Sequence, residues 1–188
     1  MKYLLFTLLW IFTITGQAQD NASLLNEPMD WKFERIDFPL DFASEIEYEG
    51  YEELRFSSGM FDVKSDEYFT YFFAFNLKHS KILSERELTS LLEKYYSGLA
   101  NAVAKDKIDN QEQYFSKVIK LNDDKWSIKF RDCFTNCEEI VINVQIKQNA
   151  SNENLKIFAL ASPEDFNSPL WEKLRPTLIK LSSEKEEL

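Results

Sequence analysis

From Ser84 to Asp106 the chain repeats apolar side chains at the spacing of one helical face: Leu88, Leu91, Leu92, Tyr95, Leu99, Ala102 and Val103. Ser84 with Glu87 three positions on is a capping box, each side chain serving an amide that the helix start leaves open. The pattern predicts one long helix that lays a single stripe on a sheet. Gly98 inside it costs about 1 kcal/mol relative to alanine. A second helix is expected to open at Ser168-Pro169, because proline at the first helical position gives up only an amide that has no partner. Leu170, Trp171, Leu174, Leu178 and Leu181 mark its inner face, and Pro176 interrupts it near Glu172.

The remaining segments have the period of strands. WKFERIDF (31–38) and residues 51–57 suit a first and a second strand, with Pro39 ending the first. YFTYFFAFNL (68–77) is apolar on both parities, so a layer must cover each face of that strand. From Gln113 to Ser162 the period is two, predicting a four-stranded antiparallel meander with turns at NDDK and QNASNEN. The first of those turns is expected to set Ile119 opposite Ile128. The fold class is therefore α+β: an antiparallel sheet with one long helix packed on it and a shorter, proline-interrupted C-terminal helix.

The amino terminus adds an address. Lys2, an apolar run from Tyr3 to about Thr15 and small residues at Gly16 and Ala18 have the pattern of a secretory signal peptide cut after Ala18. The run is too short for a membrane span, and no later segment is apolar enough to insert stably. The expected division is signal peptide 1–18, flexible lead-in 19–30, one domain 31–181 and a charged tail 182–188. The product is periplasmic or secreted. With 22 basic against 32 acidic residues the formal charge is −10. That balance disfavours nucleic acid, whose binding begins from a basic face.

RDCFTNCEE (131–139) holds the two cysteines of the chain. A three-residue hairpin loop of Phe134, Thr135 and Asn136, with Asn136 left-handed, pairs Phe130 with Ile140, Ile128 with Ile142 and Trp126 with Val144. Every inward position then meets an apolar residue, so the pattern sets the register without reference to the cysteines. In that register Cys133 faces Cys137 on the outer, more polar face, at a separation that suits a disulfide in an oxidising compartment. A ring this small is worth only about 2 kcal/mol. Redox chemistry is disfavoured because Asp132, Glu138 and Glu139 outnumber Arg131 and raise a thiol's pKa. Zinc needs three or four ligands, and the chain adds only His79. No cofactor and no catalytic residue is indicated.

Two further groups are candidates. Glu45, Glu47, Glu49, Glu52 and Glu53 form the densest acidic run, a candidate docking patch whose plainer reading is a solvated face. Tyr68, Phe69, Tyr71, Phe72, Phe73 and Phe75 would line an apolar pocket if they are not consumed as core.

GYEELRFSSGMFD (50–62), SDEYFTYFFAFNL (65–77) and YYSGL (95–99), with WKFERIDFP before them and SPLWEKLRPTLIKL after, resemble a bacterial family of exported proteins that carries no activity to transfer. In element order alone the layout is similar to the PsbP and Mog1 group. The expected function is a noncatalytic accessory or protein-binding domain acting on an envelope or extracellular protein. The alternatives are an apolar small-molecule or lipid carrier, then a hydrolase whose residues have no signature here.

Overall fold

In a computed structural model, residues 23–105, 107–108 and 112–183 are described. The expected signal peptide, residues 19–22 of the lead-in and residues 184–188 of the tail lie outside them. Among the described residues there are seven strands: β1 (Lys32–Asp37), β2 (Gly50–Phe56), β3 (Tyr71–Leu77), β4 (Lys117–Lys120), β5 (Lys125–Asp132), β6 (Glu138–Ala150) and β7 (Leu155–Ser162). With them are a 3-10 turn (Asp41–Ala43) and helices α1 (Glu85–Ala104) and α2 (Pro169–Ser183). The strands form one sheet in the order β1-β2-β3-β7-β6-β5-β4, antiparallel throughout. After β3 the chain crosses to the far edge by way of α1 and returns strand by strand to β7, which pairs with β3. The fold is the α+β arrangement that the pattern predicts.

The two faces of β3 explain its double parity. Tyr71, Phe73, Phe75 and Leu77 join the core beneath α1, with Leu88, Leu92 and Tyr95. Phe72 and Ala74 face the other way, onto Trp171, Leu174 and Leu178 of α2. The predicted capping box is present, with the Ser84 amide donating to Glu87 Oε2 (2.8 Å) and the Glu87 amide to Ser84 Oγ (3.4 Å). In its second half, however, α1 buries Tyr96, Ala100 and Ala104 while Ala102 is exposed, so the stripe turns away from the expected Leu99–Ala102–Val103 line. Gly98 marks where the 3-10 turn packs on the helix. A β-carbon there would lie 2.1 Å from the carbonyl oxygen of Phe42, so the glycine lets the 3-10 turn sit directly on the helix. α2 runs through Pro176, whose missing amide leaves the carbonyl of Glu172 without its helical donor.

α1 also seals one edge of the sheet. The backbone amides of Val118, Ser116 and Tyr114 point away from β5 and donate to Glu93 Oε1 (3.4 Å), Ser97 Oγ (2.9 Å) and Asn101 Oδ1 (2.9 Å). Four helical residues rise about 6 Å and two strand residues about 6.6 Å, so side chains at i, i+4 and i+8 match every second amide of an antiparallel strand.

Three expectations need correction here. Val118, not Ile119, faces Ile128, and Ile119 pairs with Ser127 and is 48% exposed. A one-residue slip in a short strand exchanges its faces. The lead-in is not free from residue 23 onward, because Leu25 is fully buried with Trp31 against Phe72 and Trp171. Arg55 holds it there, donating to the carbonyls of Leu25 (2.8 Å) and Trp31 (3.1 Å). Finally, Glu52 and Glu53 do not share a solvent face with Glu45, Glu47 and Glu49. Those three are exposed, whereas both faces of β2 are covered and neither Glu52 nor Glu53 reaches solvent. Glu52 lies beneath α1, and Glu53 takes hydrogen bonds from Ser23 Oγ (2.8 Å) and the Leu25 amide (2.9 Å) on the opposite side.

Candidate binding site at the disulfide corner

The β5–β6 hairpin has the predicted register: Phe130 pairs with Ile140, Ile128 with Ile142, Trp126 with Val144 and Arg131 with Glu139. Cys133 and Cys137 are joined, with α-carbons 3.8 Å apart. The ladder ends at Asp132 and Glu138, so the cysteines belong to the tip rather than to a strand face, and Cys133 is fully buried instead of lying on an outer polar surface. The left-handed residue is Cys137 (φ 61°), not Asn136. The Cys137 amide closes back onto the Asp132 carbonyl (2.8 Å), while Asn136 Oδ1 accepts from the Glu138 amide (3.0 Å).

Asp132 organises this tip. Its carboxylate is fully buried and accepts from Tyr68 Oη (2.5 Å), the Phe134 amide (2.9 Å) and Thr135 Oγ1. Burial, and then the hydrogen bond to Asp132, push the Tyr68 hydroxyl up to about 12. Lys107 donates to the carbonyls of Cys133 and Phe134, tying the end of α1 to the same turn.

Against the tip stands the loop between β2 and β3. Its ends are pinned by the Ser57 amide on Thr70 O (3.1 Å) and the Phe69 amide on Met60 O (3.0 Å). Phe69 is the other described non-glycine residue with positive φ (46°), a conformation that costs a bulky side chain of order 1–3 kcal/mol. The turn drives its ring inward against Phe130, Tyr71 and Phe134, with centroids 5.3, 5.8 and 6.3 Å away. Outside this buried ring lie Phe61 (54% exposed), in contact with Phe134 at 5.7 Å, and Val63 (53% exposed). The corner thus sets exposed Phe61 on a base of disulfide, buried carboxylate and strained backbone, with exposed Val63 two residues further along the same loop.

The other candidate residues go elsewhere. Phe69, Tyr71, Phe72, Phe73 and Phe75 are buried and pack on one another and on Tyr95, Phe130 and Trp31, so they fill the interior rather than line a pocket. Tyr68 and Phe69 of that group also take part in the corner, Tyr68 through its hydroxyl on Asp132 and Phe69 as its buried base. A cleft of about 930 Å³ lies instead on the outer side of α1, between the 3-10 turn and residues 113–116, with Phe42, Ile108, Phe115 and Lys105 on its walls. His79 is half-buried, edge-on to Tyr48. Sequence reading missed Asp132, Phe61, Val63 and Phe134 as a group. The signal available was weak: an aspartate directly before a turn cysteine, and a phenylalanine stranded among turn residues.

No family model, no curated protein and no solved structure matches the chain. The corner is therefore interpreted from its own geometry. Among the described residues no helix is long and apolar enough to cross a membrane.

Proposed function

We propose that the protein is an exported, noncatalytic domain that binds another protein through its disulfide corner. The observation that carries the reading is the placement of half-exposed Phe61, with Val63 further along the same loop, on a base held by Asp132, the cysteine bridge and left-handed Phe69. Strained backbone persists where the surroundings over-determine it, and such places gather at functional sites. Apolar side chains carried on a loop whose ends are pinned lose less freedom on binding than those on a free segment, which favours them as the centre of an interface. The amino-terminal pattern and the bridge both support an oxidising destination. An apolar small-molecule carrier is the second reading, favoured only by the cleft beside α1.

The test is capture from an exported fraction with the wild-type domain and with a Phe61→Ser/Val63→Ser variant. Both positions are half-exposed, so the variant is expected to unfold at nearly the wild-type temperature. A protein partner retained by the wild type and lost by the variant supports the proposal. Identical recovery by both removes the corner from the function.

A further inference from the structure

The sheet's second edge is treated differently from the first. The Phe38 amide bonds the Gly50 carbonyl (3.0 Å), which sets the phase of the β1–β2 ladder: Lys32, Glu34 and Ile36 exchange bonds with β2. Phe33, Arg35 and Asp37 consequently turn their amides and carbonyls outward, and no described residue covers them. β1 is also exposed on both faces apart from half-buried Ile36. Such an edge is a template for one more strand.

We infer that this edge pairs with β1 of a second copy of the chain, antiparallel about a two-fold axis beside Ile36. The charges of KFERID, together with the backbone bonds already made by Trp31, select that register. Pairing centred on Glu34, Arg35 or Asp37 sets like charges face to face, which is destabilising. Pairing centred on Phe33 is compatible in charge, yet its next outward partner would be Trp31. That residue's amide already bonds Pro28 O (3.3 Å), and its carbonyl accepts from Arg55 (3.1 Å). Centred on Ile36, Arg35 meets Asp37 of the second copy twice over, and Ile36 meets its own counterpart. Each Arg35–Asp37 pair exchanges two backbone hydrogen bonds.

The outer face of β1 is prepared for this pairing. The Arg35 guanidinium lies 3.6 Å over the Tyr51 ring and 3.5 Å from Glu53, which holds it on the face where Asp37 of the other copy would arrive. No described residue pairs with the Asp37 carboxylate. The charges that repel unrelated strands thus become the means of choosing this one.

Sedimentation of the purified chain across a concentration series tests the inference. The expected result is a reversible monomer–dimer equilibrium. Asp37→Lys should weaken it by about tenfold or more, since Arg35 then faces a lysine in both pairs. Arg35→Glu should weaken it likewise. An equimolar mixture of the two variants should dimerise again, because the introduced glutamate of one chain meets the introduced lysine of the other, while the native Asp37 and Arg35 that remain meet each other. If Arg35→Glu fails to fold beside Glu53, amide exchange on the wild type decides: the Arg35 and Asp37 amides should slow as concentration rises. A monomer at every concentration, a dimer indifferent to Asp37→Lys, or unchanged exchange at those amides overturns the pairing.

Discussion

Glu52 is a carboxyl group surrounded on all sides by protein. Tyr95 Oη donates to one of its oxygens (2.7 Å), while the other has no partner among the described residues. Burial, outweighing that hydrogen bond, raises its pKa from 4.5 to about 8. The folded chain therefore holds this proton through a range in which the unfolded chain has released it. Stability contributed by Glu52 is complete below about pH 4.5 and is lost as pH rises toward 8, at about 1 kcal/mol per unit. Glu52→Gln should flatten this slope, and denaturant unfolding of both proteins at pH 5 and pH 8 measures the difference. Asp132 is equally buried but has three donors. Asp132→Ala removes their shared acceptor and should cost roughly 2–4 kcal/mol in the same assay. Neither acid could be recognised from its letter. Glu52 and Glu53 follow an alternating acidic run and read as its continuation; only the apolar text of the neighbouring strands implies that β2 is covered on both faces.

At the scale of elements, the close contact of α1 with the 3-10 turn reverses an ordinary rule. Alanine is the better helix former by about 1 kcal/mol, yet Gly98→Ala forces a methyl group onto the Phe42 carbonyl. Expansion at a close-packed site costs about 1–3 kcal/mol, so thermal unfolding should show a lower midpoint despite the gain in propensity. The elements themselves were legible where a pattern was long. The double parity of 68–77, the capping box and the inward residues of the β5–β6 hairpin each carry several mutually consistent positions. β4 was misread because four residues give two nearly equal choices, Val118 or Ile119, and nothing nearby penalises the wrong one. The tip of the hairpin was misread in a similar way: the pairing was correct, but the residue that adopts positive φ depends on the Cys137–Asp132 closure, which the letters do not announce.

For the whole molecule, the α+β class followed from counting periods, whereas the candidate corner required distant segments to meet: residues 57–70, 107 and 132–137 are far apart in sequence. The Glu93–Ser97–Asn101 contacts described above also bear on assembly. A sheet that could grow at both margins would add copies head to tail without limit and end as a fibre. With one margin occupied by helix side chains, only like margins remain to meet, and a symmetric union of like with like uses them up. Association by this route closes at two copies.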